Sequence, residues 1–159
     1  MAKMLVVDPE KCVACRLCEI ACSLQKTGRV NPTQARISVT IFDEEGFYMP
    51  VVCNQCDQAW CRAACPAAAI EKDERLGRYW VNADRCVGCR ICNAACPFGA
   101  IGFSTATGKA FKCDLCDGSP VCVSFCPTGA IRYEDRDTTL RDRRVATARK
   151  VMDAWASER

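Results

Sequence analysis

Sixteen cysteines stand in four motifs of four along the 159-residue chain. The first and third motifs share the spacing C-x2-C-x2-C-x3-C, whereas the second and fourth widen the middle step to x4 and x5. Closely spaced thiolates bind zinc or iron–sulfur clusters, and paired thiols form disulfides. The candidate cofactor-binding residues of the four motifs in turn are Cys12, Cys15, Cys18 and Cys22; Cys53, Cys56, Cys61 and Cys65; Cys86, Cys89, Cys92 and Cys96; and Cys113, Cys116, Cys122 and Cys126.

Proline follows the last cysteine of three motifs, at Pro66, Pro97 and Pro127. The spacing C-x2-C-x2-C-x3-C-P is typical of bacterial ferredoxins, where three thiolates hold one 4Fe-4S cluster and the fourth binds a neighbouring one. The fourth cysteine should lie one turn into a short helix, which the proline ends because it cannot continue a helix interior. The four motifs therefore predict four 4Fe-4S clusters, and the spacing alone leaves open which motifs share them.

Zinc and disulfides are the rival interpretations of the cysteines. All-cysteine zinc sites use paired C-x2-C steps, but they need neither three cysteines in close succession nor repeated Cys-Pro. The chain contains no histidine, which excludes mixed Cys/His zinc sites, Rieske centres and histidine-ligated haem. Disulfide scaffolds belong to short secreted chains, and residues 1–8 contain no apolar signal core. Iron–sulfur binding is thus the favoured interpretation, in a reducing cytoplasm.

Internal repeats predict the elements that position these motifs. Residues 7–16 align with residues 81–90 without a gap, and the three Cys-Pro steps each lead into a short apolar segment. The predicted strands are Met4–Val7, Arg78–Val81 and those that carry Ile70, Ile101 and Ile131. This order of strand, cluster loop, short helix and strand predicts an α+β fold, a duplicated bacterial two-cluster ferredoxin-like fold over residues 1–133, with short strands, short cluster helices and a C-terminal helix.

Two segments depart from the repeat. Cys22 is followed by Ser23 instead of proline, and residues 27–50 then contain the alternating pattern Ile37–Ile41, so they predict a strand-bearing insertion. The tail, residues 134–159, has apolar side chains at helical spacing and predicts a helix capped by Asp137 or Thr138. That helix either packs on its own ferredoxin body or docks a partner subunit, with Trp155 as an anchor.

Composition and charge limit the possible partners. The formal charge is +3, but four oxidised clusters with their thiolates contribute about −8, so the loaded protein carries roughly −5. Nucleic acid is therefore not an expected partner. The sequence contains no run of eighteen apolar residues and predicts no membrane span. Because large apolar residues other than cysteine are modestly represented, metal binding should supply much of the folding free energy, and the metal-free chain should be largely disordered.

Basic residues recur beside the cysteines. Nearby charge and hydrogen bonds to sulfur set cluster potentials, so these cations could raise the potentials, or they could simply solvate the loops. They are Lys11, Arg85 and Lys112 before the first cysteine of three motifs, Arg16 and Arg90 between cysteines, and Arg62 after Cys61. Trp60 beside them could shield a cluster from water or pack in the core.

With these motifs, residues 4–133 resemble the four-cluster electron-transfer subunits of molybdenum and tungsten oxidoreductases, and above all the small subunit of tungsten aldehyde oxidoreductases. The resemblance implies nested halves, in which the outer pair of clusters comes from the motifs at 12–22 and 113–126 and the inner pair from those at 53–65 and 86–96. The implied ligand sets are Cys12, Cys15, Cys18 and Cys126; Cys22, Cys113, Cys116 and Cys122; Cys53, Cys56, Cys61 and Cys96; and Cys65, Cys86, Cys89 and Cys92.

The resemblance implies a non-catalytic subunit of a hetero-oligomer. Four 4Fe-4S clusters would relay electrons between a catalytic molybdenum or tungsten subunit and another redox subunit, such as a flavin-containing one. The residues agree, since the sequence contains no glycine-rich nucleotide loop and every cysteine belongs to a motif. The alternatives are a subunit of a hydrogenase or formate dehydrogenase, a free polyferredoxin, a zinc-stabilised interaction module and an assembly factor.

Overall fold

The computed structural model of the protein describes residues 3–157, in which short strands and helices alternate. The strands are β1 (Lys3–Val7), β2 (Ile37–Phe42), β3 (Phe47–Val52), β4 (Ile70–Asp73), β5 (Arg78–Val81), β6 (Ile101–Ser104), β7 (Lys109–Lys112) and β8 (Ile131–Asp135). The helices are α1 (Leu17–Thr27), α2 (Trp60–Ala63), α3 (Ile91–Ala94), α4 (Val121–Ser124) and α5 (Arg136–Ser157). The α+β, ferredoxin-like architecture predicted from the motifs is confirmed. Residues 1–2 and 158–159, at the ends of the two predicted segments, lie outside the described residues.

The strands pair antiparallel, two by two. β1 pairs with β8, so the first and last strands of the ferredoxin body meet, with Leu5 opposite Tyr133. β2 pairs with β3, β4 with β5 and β6 with β7, each as a hairpin. We call β1, α1, β2, β3, α4 and β8 the outer half, and α2, β4, β5, α3, β6 and β7 the inner half.

Each half has its own core, and cysteines belong to both. Residues of the first and fourth motifs share the outer core, which is made of Leu5, Cys18, Cys22, Ile37, Val39, Val52, Cys113, Leu115, Cys122 and Ile131. The inner core is made of Ala69, Ile70, Tyr79, Cys86, Cys92, Ile101 and Ala110, and Cys61 and Cys65 of the second motif pack against it. Four of the ten buried residues of the outer core and two of the seven of the inner core are cysteines.

The predicted strands occur where the sequence placed them. Ile70, Ile101 and Ile131 each open a strand and are only 2–3% exposed. The segment predicted as an insertion forms the β2–β3 hairpin, in which Ile37 pairs with Val52. Alternate residues of β2 face the core at its start, as the period-two pattern requires.

The short helices differ from the prediction in which cysteine they hold. α2, α3 and α4 each contain the third cysteine of a motif, and each ends two residues before the fourth. The residue before a proline is disfavoured in the α conformation, so the helix stops before Cys65, Cys96 and Cys126. In the first motif no proline follows Cys22, and α1 therefore continues to Thr27, where Gly28 (φ 70°) caps it in the left-handed conformation.

The C-terminal helix begins earlier than predicted and stands apart from the body. Its cap is Asp135, whose Oδ1 accepts hydrogen bonds from the backbone N–H groups of Asp137 and Thr138. Thr139 is buried at its base, but every residue from 141 to 156 is exposed. The helix thus packs on the ferredoxin body at its base, and docking of a partner subunit by the rest of the helix stays a prediction. None of the helices within residues 3–157 is both long and apolar enough to span a membrane.

Candidate metal centres

Three cavities of the protein are each lined by four free cysteines. Their volumes, including the space that opens to solvent, are about 300, 390 and 330 Å³. Each combines three cysteines of one motif with the last cysteine of another. We call these sets group A (Cys12, Cys15, Cys18 and Cys126), group C (Cys53, Cys56, Cys61 and Cys96) and group D (Cys65, Cys86, Cys89 and Cys92).

The remaining four cysteines form group B, which is Cys22, Cys113, Cys116 and Cys122. Three of them are buried. Cys22, Cys113 and Cys122 lie together in the outer core. Burial raises the pKa of Cys122, and the charges of Cys113, Cys22 and Cys116 raise it further. The structure thus brings together each set that the family resemblance implied. Binding of a cluster by each set stays a prediction.

Burial shapes the chemistry of these thiols. It raises the pKa of Cys18 and of Cys113 to about 12 and it also raises the pKa values of Cys22, Cys56, Cys61 and Cys92. Because the thiolate is the ligand, a metal must displace the protons of these groups when it binds. The same burial keeps water away from whatever the thiols hold.

Hydrogen bonds from the backbone reach several of the sulfur atoms. The N–H groups of Arg36 and Ala69 donate to Cys22 Sγ and Cys65 Sγ at 3.2 and 3.3 Å. At Cys126, burial raises the pKa, but bonds from the Ile131 backbone and other donors outweigh it, so the net pKa is lowered. Donors of this kind stabilise negatively charged sulfur, as iron–sulfur ligands require.

Each motif contains a left-handed backbone residue immediately before its second cysteine. These residues are Ala14, Gln55, Gly88 and Leu115, with φ between 49° and 74°. Such a conformation costs free energy in residues other than glycine, and it persists where the surroundings demand it. Here it turns the loop, so that in groups A, C and D the first two thiols of the motif line one cavity.

Gly88→Ala should prevent group D from holding its cluster. A Cβ at this position would collide with the backbone oxygen of Gly108, which lies in the turn before β7. We expect the loop of the third motif to shift and about four irons per chain to be lost, the content of one 4Fe-4S cluster. Ala14→Gly, at the matching position of the first motif, should keep full iron. Iron analysis after anaerobic purification measures both, and full iron in Gly88→Ala would contradict the prediction.

The basic residues that look alike in sequence differ in their surroundings. Lys11 pairs with Asp8, and Arg85 pairs with Glu71; both cations are about half exposed. Arg90 lies over the Phe103 ring, 3.9 Å from its centre. Lys112 differs from all of these, because it is 4% exposed.

Two buried polar residues gave no signal in the sequence. Glu19, 1% exposed, accepts hydrogen bonds from Arg16 Nε at 2.6 Å and from the Val39 N–H at 2.7 Å, and so ties α1 to β2 beside Cys18. Gln55, 3% exposed, donates to the Cys113 carbonyl at 2.7 Å and thereby links groups C and B. Neither residue could be singled out, because Val39 and Cys113, the partners that bury them, are distant in the chain.

Trp60 lines the cavity of group C but is 66% exposed, so core packing, one of its two predicted roles, is wrong.

Among residues 3–157, no three Cys, Asp or Glu side chains gather closely enough to hold a single metal ion. Groups of four thiols around a water-poor cavity, with N–H donors to sulfur, fit a larger cofactor whose several irons each take one thiolate.

The fold and its cysteine groups define a ferredoxin-like iron–sulfur protein. Residues 44–136 match the family model of the 4Fe-4S dicluster domain, and residues 5–23 match that of the 4Fe-4S binding domain. The chain therefore belongs to the 4Fe-4S dicluster family. Four-iron clusters as the cofactor type follow from this membership.

Several proteins are similar to the chain. The putative electron transport protein YsaA of Escherichia coli is 34% identical over 122 residues, which are 72% of this chain and 76% of that protein. The polyferredoxin-like subunit of the aliphatic sulfonate oxidoreductase of Pyrococcus furiosus is 39% identical over 112 residues, 70% of this chain and 64% of that one. The iron–sulfur subunit ArrB of the arsenate respiratory reductase of a Shewanella species is 38% identical over 107 residues, covering 65% and 45%.

A solved structure has a similar fold. A chain of the active-site complex BamBC of benzoyl coenzyme A reductase superimposes with a TM-score of 0.53 and 26% identity, over 85% of this chain and 78% of that one. The homologues are thus iron–sulfur electron-transfer proteins, several of them subunits of oxidoreductase complexes.

Proposed function

We propose that the chain is a non-catalytic electron-transfer subunit that holds four 4Fe-4S clusters, one in each of groups A to D. It relays electrons between a catalytic molybdenum or tungsten subunit of the aldehyde oxidoreductase type and a second redox subunit or acceptor. The observation that carries the proposal is the gathering of sixteen cysteines into four groups, each drawn from two motifs. When bound, the clusters supply the one-electron redox chemistry that thiols lack.

The groups adjoin one another in the order A, B, C, D. Groups A and B are joined by α1, which carries Cys18 of the first group and Cys22 of the second. Groups B and C are neighbours, because Cys53 of group C packs against the outer core, which contains Cys113 and Cys122 of group B. Groups C and D are neighbours, because Cys61 and Cys96 of group C pack against the inner core, which contains Cys86 and Cys92 of group D. This order supports a single path through both halves.

Each end of this order brings a cysteine to the surface. Cys15, in group A, and Cys89, in group D, are the exposed members of the sixteen cysteines. Val13 and Val87, at matching positions of the repeat beside them, are 59% and 69% exposed. We assign these two loops to contact with the electron donor and acceptor, because exposed apolar side chains on a protein surface mark interaction sites when they cluster.

Resemblance and relatives support an oxidoreductase partner. The sulfonate oxidoreductase and the arsenate reductase are named as complexes with an iron–sulfur subunit similar to this chain. The motifs resemble most the small subunit of tungsten aldehyde oxidoreductases, so we assign a molybdenum or tungsten subunit as the partner, in a hetero-oligomer that works in the reducing cytoplasm.

Anaerobic affinity purification of the tagged chain from its own host tests this function. We expect iron and acid-labile sulfide for four clusters, together with a catalytic subunit that contains molybdenum or tungsten, identified by mass spectrometry and metal analysis. Val13→Glu and Val87→Glu should each weaken retention of one partner while leaving the iron content unchanged.

Three outcomes would contradict the proposal or part of it. A colourless protein loaded with zinc would replace it with a structural interaction module. A chain with full iron that purifies alone would favour a free polyferredoxin, and co-purification of a hydrogenase or formate dehydrogenase would reassign the partner.

A further inference from the structure

Lys112 is a buried cation at the boundary between the two halves. It ends β7, directly before Cys113, and is 4% exposed. Its Nζ donates hydrogen bonds to the Tyr79 carbonyl at 2.7 Å, to Gln55 Oε1 at 3.2 Å and to the Cys113 carbonyl at 3.4 Å. All three acceptors are neutral amide oxygens, which solvate the ammonium group without neutralising it.

A buried ammonium group requires a compensating negative charge, because its transfer from water is costly and neutral acceptors recover only part of that cost. The thiols of groups B and C are candidates for that charge. Lys112 lines the cavity of group C, and it adjoins Cys113 of group B. Its positive charge acts against the burial that raises the pKa values of Cys61 and Cys113, so both groups lie within its field.

The repeat supplies two cations for comparison. Lys11 and Arg85 also precede the first cysteine of a motif, but their side chains are 55% and 52% exposed, and each has a carboxylate partner. Water and that carboxylate screen their charge. The charge of Lys112 is screened far less, because its surroundings are the protein interior.

We propose that Lys112 is a fixed positive charge that compensates the anionic cysteine groups B and C and raises the reduction potentials of the clusters they hold. This inference rests on the proposed function. An electron taken from a donor subunit adds one negative charge at these groups, and the adjacent cation stabilises that charge. The middle of the path is thereby made easier to reduce than it would be without Lys112. Lys112 acts through charge alone, as a tuning residue.

Three substitutions separate charge from packing. Lys112→Met and Lys112→Gln remove the charge but keep most of the side-chain stem, and Lys112→Arg retains the charge. Lys11→Met and Arg85→Met serve as matched controls at equivalent positions of the repeat. Each chain is purified anaerobically, analysed for iron and sulfide, and titrated electrochemically while the reduced clusters are followed by electron paramagnetic resonance.

In Lys112→Met and Lys112→Gln we expect at least one midpoint to fall, so that the ratio of reduced to oxidised cluster at a fixed potential drops about tenfold, or about 59 mV for one electron. Lys112→Arg should keep the original midpoint, and both control variants should leave every midpoint unchanged. Loss of iron from the Met and Gln variants but not from the Arg variant would likewise support a compensating charge.

Two results would overturn the inference. The first is full iron with unchanged midpoints in both neutral variants. The second is loss of iron from all three Lys112 variants, which would make the residue a packing element. Failure of the underlying function is seen separately, because the unsubstituted chain would then lack iron for four clusters before any variant is compared.

Discussion

The double variant Cys22→Ser/Cys116→Ser should lose no more iron than either single variant, Cys22→Ser or Cys116→Ser. The two cysteines belong to different motifs, but both lie in group B, where burial and then the nearby Cys116 raise the pKa of Cys22. If they bind one cluster, either change releases about four irons and the second has nothing further to release. Iron analysis of the two single variants and the double variant measures this directly.

The control pair is Cys15→Ser with Cys22→Ser, two residues of one motif that the structure assigns to groups A and B. Their losses should add, to about eight irons per chain. A sequential arrangement, in which each cluster stays within neighbouring motifs or within one, predicts a different result: the losses from Cys22 and Cys116 would add. That outcome would refute the nested assignment and leave the fold untouched.

Removal of iron should unfold the ferredoxin body. Cysteines are four of the ten buried residues of the outer core and two of the seven of the inner core, so both cores depend on the state of their thiols. Structural metal sites contribute about 10–16 kcal/mol in zinc-finger peptides, which is as large as the about 5–15 kcal/mol of net stability of a typical domain. Anaerobic chelation followed by circular dichroism and limited proteolysis should therefore show loss of the strand signal and rapid cleavage throughout residues 3–135.

Two cysteine ligands that differ in burial provide an internal control for this prediction. Cys113→Ser removes a ligand that is 8% exposed in the outer core, whereas Cys15→Ser removes an exposed one. The first change should lower the midpoint of thermal unfolding more than the second, even though each releases one cluster. Retention of a cooperative thermal transition by the chelated chain would contradict the prediction and place the folding free energy in the side chains alone.

Local sequence was sufficient for most of the strands, although β7 was not predicted. Arg78–Val81 is a strand as predicted, because it repeats the strand before the first motif and has the apolar and aromatic residues that a small sheet buries. Ile70, Ile101 and Ile131 follow a turn of fixed length, so their position at the start of a strand could be derived from the Cys-Pro step. These features depend on neighbours along the chain.

Features that depend on distant partners were not predictable. Lys11 and Lys112 occupy the same place in the motif, and only the fold makes one exposed and the other buried. The left-handed turns at Ala14, Gln55 and Leu115 contain no glycine, so the sequence did not indicate a left-handed conformation there. The cap of α5 lies two or three residues before the predicted Asp137 or Thr138, because Asp135 both ends a strand and caps the helix.

The pairing of the first and last strands determines the order in which parts of the ferredoxin body can fold during translation. β1 leaves the ribosome first, but its partner, β8, is complete only when residue 135 has been made. The β4–β5 and β6–β7 hairpins lie wholly within residues 70–112, and such local pairings form early, whereas distant ones wait for loop closure. During translation the N-terminal thiols therefore remain open the longest, which makes them the part of the newborn chain most vulnerable to oxygen.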